Sequence, residues 1–207
     1  MNRQPARKIT NHGREIVTGG FSSIKNNCSI RWEAQNERDF LYHLEFDPEV
    51  IRYASQPLKL HYNLDGTMLT HYPDFAVERR NGRIDYYEVK PFDKTAELSF
   101  QDKTKAIRER LNKMGHQYYV VTDREIKIEP RLSNLKILYR YLATKHSLAD
   151  QQAVMNCLVQ PMKLNDLKYE IEILGLSISV CYWLMATGKI KFDLNEPITL
   201  RMTVYRA

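Results

Sequence analysis

The chain has 207 residues, 43% of them hydrophobic and 27% charged, which suits a globular protein of one ordinary domain plus a smaller one and excludes a disordered or fibrous chain. No apolar run approaches the ~18–20 residues of a membrane-spanning helix, and the opening "MNRQPARKITNHGR" is basic and polar rather than a secretory leader. The net charge of +6 favours a polyanionic partner such as DNA or RNA, while three widely spaced cysteines, Cys28, Cys157 and Cys181, fit neither a disulfide framework nor a zinc site, so a reducing cytoplasmic setting is expected.

"MNRQPARK", with Arg3, Arg7 and Lys8, reads as a basic arm, and residues 1–30 otherwise show little periodicity. The spacing of Phe40, Leu41 and Leu44 predicts a helix over roughly 33–46, ended by Asp47-Pro48. Glu37 falls three and four residues before Phe40 and Leu41, on or beside the buried face; it is either a site carboxylate or a border residue paired with Arg38 or Arg52. A three-stranded meander is expected next, with strands near 57–63, 68–78 and 83–90. Its turns are "DG" at 65 and 66 and "NG" at 81 and 82, both suited to φ > 0. A helix follows over about 97–114, with Leu98, Ala106, Ile107, Leu111 and Met114 apolar and Gly115 as its C-cap. It also carries Lys103, Lys105, Arg108, Arg110 and Lys113, which serve either as a solvated face or as phosphate contacts. "QYYVVTD" reads as a short interior strand, parallel to one strand of the preceding hairpin through a crossover helix.

"REIKIEPRLSN" marks a boundary, giving a first domain of residues 1–128 and a second of 129–207. The second is helical: "LSNLKILYRYLA" and "SLADQQAVMNCLVQ" are amphipathic helices. "PMKLNDLKYEIEI", "LGLSISVCYWLMATG", "KIKFDL" and "ITLRMTVY" then give helix, turn, helix and two short strands, the order of a winged helix. Its candidate recognition helix, "SISVCYWLMA", has no Lys or Arg, so Ile178, Val180, Trp183 and Leu184 read as core or protein contact rather than groove readers, with Tyr182 and Trp183 as candidate anchors.

The chemistry concentrates in "HYPDFAVERRNGRIDYYEVKP", residues 71–91. Side chains alternate along a strand, so Ile84, Tyr86, Glu88 and Lys90 share one face and Asp85, Tyr87 and Val89 the other. A simple hairpin register leaves Asp74 some residues beyond direct pairing with Glu88, unless a bulge or twist near Pro73 brings it close. One reading is a salt-bridged hairpin, with Lys90 against Glu88 or Asp74. The other is a site for phosphodiester hydrolysis: Asp74 and Glu88, with Glu37 beside them, offer hard oxygens to Mg²⁺ (or Mn²⁺ in its place), and Lys90 holds or deprotonates the attacking water or stabilises the oxyanion. Charges among the aromatic and β-branched flanks "YPDFAV" and "YYEVKP" favour the second reading, because they need a compensating partner. Of the histidines, His43, His61 and His71 lack a zinc-ligand companion, and His71, three residues before Asp74, reads as packed, solvent-facing or turned toward DNA.

Proline-aspartate, a gap of fourteen residues and then Glu88-Val89-Lys90 resemble the PD-(D/E)xK nuclease superfamily. Over about residues 25–125, "RWEAQNERDFLYHLEFDPEVIRYASQPLKLHY", "HYPDFAVE", "YYEVKP" and "GHQYYVVTDREI" resemble the N-terminal domain of TnsA, the endonuclease subunit of a heteromeric bacterial transposase. That resemblance implies an α/β fold of restriction-endonuclease type, a mixed sheet flanked by helices, with a small helical winged-helix-like domain after it. It implies Mg²⁺ held by Glu37, Asp74 and Glu88, Lys90 as catalytic lysine, and Gln56 either behind the site or, with Pro57, as a structural turn. Arg7, Lys8, Lys103 and Lys105 become candidate DNA-backbone contacts. It further implies double-stranded transposon ends as substrate, cut at their 5′ strands, with a TnsB-like transposase and a TnsC-like ATP-dependent regulator as partners. A stand-alone restriction or repair nuclease and a non-catalytic DNA-bridging module are the competing readings.

Overall fold

The computed structural model describes residues 18–207. They form two compact units divided between Lys127 and Ile128.

The first unit opens with a hairpin of β1 (Gly19–Ser23) and β2 (Cys28–Trp32), which the sequence does not announce. A Cβ on Gly19 would meet the Trp32 ring at 2.3 Å, so the missing side chain makes room for that ring. Then come α1 (Gln35–Phe46), β3 (Val50–Ser55), β4 (Leu60–Leu64), β5 (Thr67–His71), β6 (Phe75–Arg79), β7 (Ile84–Lys90), α2 (Leu98–Asn112), β8 (Gln117–Thr122) and the short α3 (Asp123–Ile126). The main sheet has the order β3-β6-β7-β8. Its first two pairings are antiparallel and β7–β8 is parallel, joined by the expected crossover helix α2.

Three expectations are corrected here. The strand expected over 68–78 is two strands. Pro73 has no N–H for a ladder, and the chain leaves the sheet there, so β5 pairs only with β4 as a separate ribbon while β6 joins the main sheet. The place beside β6 is filled by β3, whose period-2 pattern is broken by a register shift between Val50 and Arg52. Finally, β8 lies at an edge of the sheet and not inside it.

The turns follow the sequence. Asp65 (φ 50°) and Gly66 (φ 82°) both take the left-handed conformation that a tight two-residue hairpin needs. At the end of α2, Gly115 (φ 83°) lets the His116 N–H reach back to the Leu111 carbonyl at 3.0 Å.

Two layers cover the sheet. Phe40 of α1 packs on Phe75 and Tyr87, with ring centroids 5.8 and 5.4 Å apart. On the other face Ile107 and Leu111 of α2 meet Leu60, Tyr62, Ala76, Tyr86 and Tyr118. Each fully buried Leu or Ile contributes roughly 1.5–3 kcal/mol. Leu98 and Met114, expected on that buried face, are 77% and 40% exposed, because they lie at or beyond the ends of the helix.

The second unit comprises α4 (Arg131–Leu142), α5 (Leu148–Cys157), β9 (Met162–Lys163), α6 (Leu164–Ile173), α7 (Ser179–Ala186), β10 (Ile190–Lys191) and β11 (Thr203–Arg206). Its sheet has the order β10-β11-β9, so Met162 and Lys163, expected in a helix, supply a third strand. Leu135, Leu138, Leu167, Ile171, Val180 and Leu184 are buried here. The buried Asn134 side chain donates to the Leu194 and Glu196 carbonyls and accepts the Ile198 N–H at 3.0 Å, fixing the loop before β11. Tyr182 and Trp183, read as possible anchors, are half-buried: Tyr182 stacks on Tyr141 at 4.7 Å, and Trp183 packs between His146 and Lys189.

Candidate active site

Carboxylates gather at the C-terminal end of β7. The last ladder pair of β6 and β7 is Phe75–Tyr87, so Asp74 stands one step further on, level with Glu88. The hairpin reaches this by its plain register and needs no bulge. The Val89 N–H donates to Asp74 Oδ2 at 2.7 Å, replacing the ladder bond that the broken strand cannot make. Backbone pairing resumes through Gln56, whose N–H donates to the Asp74 carbonyl at 2.8 Å. Gln56 is buried, has φ of 43°, and its Oε1 has no hydrogen-bond partner.

Glu88 is only 2% exposed. Lys90, two residues on and on the same face, places Nζ 3.2 Å from Glu88 Oε1. From the other side His71 brings Nε2 to 3.0 Å from Oε2. Glu37 reaches the same cluster from α1, although its Oε2 also accepts the Glu33 N–H at 2.8 Å and so ties the start of its own helix. The paired partners suggested for Glu37 are engaged elsewhere: Arg38 with Asp39 and Arg52 with Glu78.

The electrostatics show unresolved repulsion. Burial, and after it the charges of Glu88 and Glu37, push the Asp74 carboxyl well above the ordinary range. Burial also raises Glu37, against the Glu33 N–H bond, with Glu33 and Glu88 adding to the rise. Burial works against Glu88 too, but His71, Lys90 and Lys103 outweigh it and hold that carboxylate below its usual range. Burial disfavours the Lys90 ammonium, yet Glu88, Asp74 and Glu37 prevail and raise it. The lysine is held as a cation by three acids.

Beside β7, Val120 and Thr122 of β8 pair with Glu88 and Lys90 and stand on the same face. They form the floor of an open cleft of about 280 Å³ walled by Gln101, Thr104 and Arg108 of α2. Lys103 is half-buried and acts on Glu88; Lys105 is exposed on α2. Arg7 and Lys8 lie outside the described residues.

Residues 47–123 match the family model of the TnsA-like endonuclease N terminal. The match supports a nuclease of the transposase type, and the mixed sheet flanked by helices is consistent with a restriction-endonuclease-like fold. The matched stretch contains Asp74, Glu88 and Lys90 and begins after Glu37. No curated protein matches the chain.

The donor chemistry suits a divalent cation. Among the described residues no three His, Cys, Asp or Glu side chains close into a ready cage. Mg²⁺ does not require one, since it keeps several waters and is bound through one or two carboxylates. Asp74 and Glu88 would supply those two, and the repulsion that raises Asp74 is the kind a cation would remove. Of the positions left open for His71, packed, solvent-facing or turned toward DNA, the structure shows the packed one, and its partner Glu88 is what the sequence did not indicate. Only its odd position gives a hint, a histidine three residues ahead of Asp74 at the end of a strand.

Proposed function

We propose that the chain is a Mg²⁺-dependent DNA endonuclease subunit of a heteromeric transposase that hydrolyses phosphodiester bonds at the 5′ ends of a transposon. The observation that carries this reading is the cluster at the end of β7, where Asp74 and Glu88 stand level, Glu37 adds its charge and a cationic Lys90 completes the set. Asp74 and Glu88 would hold the metal, with Mn²⁺ able to replace it and Glu37 at the rim. When bound, the metal lowers the pKa of a coordinated water and neutralises charge on the phosphoryl group.

The chain's own residues do the rest. Lys90, kept as an ammonium, serves as a hydrogen-bond donor and a positive charge for the reacting phosphate and the attacking water; its raised basicity argues against a role as general base. Arg108 walls the adjoining cleft and Lys103, on the same helix, acts on Glu88; both would meet the DNA backbone as charge-neutralising contacts. A TnsB-like transposase cuts the other strand, and a TnsC-like regulator docks on the second unit. Support for docking comes from α6, which displays Tyr169, Ile173 and the adjacent Leu174 to solvent, and from the absence of Lys and Arg on α7.

Reconstitution tests the reading: the chain, its transposase, Mg²⁺ and a labelled transposon end, with wild type beside Asp74→Ala. Loss of the 5′-strand cut alone in the variant supports it. Equal cutting by both proteins would return the cluster to a salt-bridged hairpin, and efficient cutting by the wild-type chain without a transposase would favour a stand-alone nuclease.

A further inference from the structure

The interaction behind Glu88 belongs to a different element from the motif it serves. His71 ends β5, the ribbon strand set apart from the main sheet, and its backbone pairs with Leu60 in a hairpin anchored by the buried Leu60 and Tyr62. The ring is 6% exposed and approaches Oε2 of Glu88, while Lys90 approaches Oε1. Tyr118 of β8 stands behind it, with its hydroxyl 3.3 Å from His71 Nε2 and its ring edge-on to the imidazole at 6.2 Å. A glutamate carboxylate otherwise turns with little preference about its last torsion. Here His71 approaches one oxygen and Lys90 the other.

We propose that His71, backed by Tyr118, is a positioning residue that fixes the Glu88 carboxylate for cation binding. The inference rests on the nuclease reading above. Nε2 stands between Glu88 Oε2 at 3.0 Å and the Tyr118 hydroxyl at 3.3 Å, and Oε2 has no aligned hydrogen bond of its own, so His71 holds the carboxylate by a close polar approach and by packing. Groups that orient a metal ligand from behind typically cost 10–100-fold in metal affinity or activity when removed, and an effect of about that size is expected here. The β4–β5 ribbon then has a function beyond covering the sheet: it carries the side chain that orients a ligand on β7.

The test uses the full chain. Mn²⁺ affinity is measured by calorimetry for wild type, His71→Ala, His71→Gln, His71→Asn and Tyr118→Phe, with Tm recorded for each, and 5′-strand cutting is followed beside the transposase. The glutamine amide places its N–H near the position of Nε2; the asparagine amide falls short, near Nδ1. Expected are a roughly 10–100-fold loss of Mn²⁺ affinity in His71→Ala, recovery of most of it in His71→Gln but not His71→Asn, and a fall in kcat with KM for DNA little changed. Tyr118→Phe, the mildest change, should weaken Mn²⁺ binding in the same direction while keeping the fold, and it decides the matter if the His71 variants fail to fold. Wild-type affinity in Tyr118→Phe and in every folded His71 variant, with Asp74→Ala alone losing metal, would overturn this inference and spare the nuclease reading. A wild-type chain that binds no Mn²⁺ would overturn both.

Discussion

Two carboxylates of the first unit, Glu45 buried and Asp74 half-buried, have opposite surroundings. Glu45, on α1, is saturated: its oxygens accept from Ser23 Oγ at 2.8 Å, the backbone N–H of Ile24 and Lys25 at 2.8 and 3.0 Å, and Tyr53 Oη at 2.5 Å. It ties the β1–β2 turn, α1 and β3 together, and Lys25 in turn donates to the carbonyls of Leu44, Asp47 and Val50 as the helix ends. Asp74 accepts the Val89 N–H and lies in the field of Glu88 and Glu37, which that bond and the Lys90 charge offset only in part. Glu88 of the same cluster is as buried as Glu45, so burial is not what separates structure from function here; donor saturation is. An acid that the chain has fully satisfied holds the fold, and one left in conflict with its neighbours calls for something the chain does not supply.

The comparison is broken most sharply by exchanging the expected losses. Asp74→Ala should reduce 5′-strand cleavage on the order of 10²–10³-fold, the usual cost of removing a group that manages charge in the transition state, and leave the Tm at or above that of wild type. Glu45→Ala should do the reverse: it strands several buried donors, costs about 3 kcal/mol of stability in denaturant unfolding, and preserves kcat in the fraction that remains folded. If Glu45→Ala proved neutral and Asp74→Ala unfolded the protein, the distinction by donor saturation would not stand.

A pH titration sharpens it. The folded-state pKa of Asp74 is raised, so the folded protein retains this proton after the unfolded chain has released it. Its contribution to stability therefore falls as pH rises from about 3.9, the ordinary aspartate value, through the raised value, and stays lost above it. In metal-free buffer near neutral pH, Asp74→Asn should melt about 2–4 °C higher than wild type if the relief is on the order of 1 kcal/mol. Mn²⁺ should then raise the Tm of wild type more than that of the variant. Glu88 contributes with the opposite sign, its folded pKa being lowered, so the difference between wild type and Asp74→Asn, not the wild-type curve, isolates Asp74. The smallest effect is expected from the cleft: Lys103→Ala should weaken duplex binding a few-fold and reduce the slope of log K against log salt by about 0.9, the share of one phosphate contact, measured by anisotropy on an Asp74→Ala background.

The sequence was most readable where chemistry is local. Asp65-Gly66 and Asn81-Gly82 placed two hairpin turns: Asp65, Gly66 and Gly82 take left-handed angles that few other residues accept, while Asn81 does not. Phe40, Leu41 and Leu44 gave the buried face of α1 from spacing alone. Legibility ended where a residue's role depends on a distant partner. The need for glycine at position 19 shows only when Trp32 is seen against it across the hairpin. The β3 strand is concealed by its register shift, which leaves Ile51 and Arg52 both exposed. Within the site, Glu88 and Lys90 announced their shared face through period-2 alternation, whereas His71 reaches Glu88 only because a separate ribbon folds onto the sheet.

The alternation of β7 also limits how this region can evolve. Tyr86, Glu88 and Lys90 look toward α2, while Tyr87 packs beneath Phe40 on α1. One codon inserted or lost between Ile84 and Glu88 would turn every later side chain over, driving Lys90 under α1 and lifting the apolar Val89 into the cleft. The Arg80–Arg83 loop at the tip lies outside that constraint. Length variation among descendants of this chain should therefore collect at the tip of the hairpin, and the strand itself should change by substitution alone.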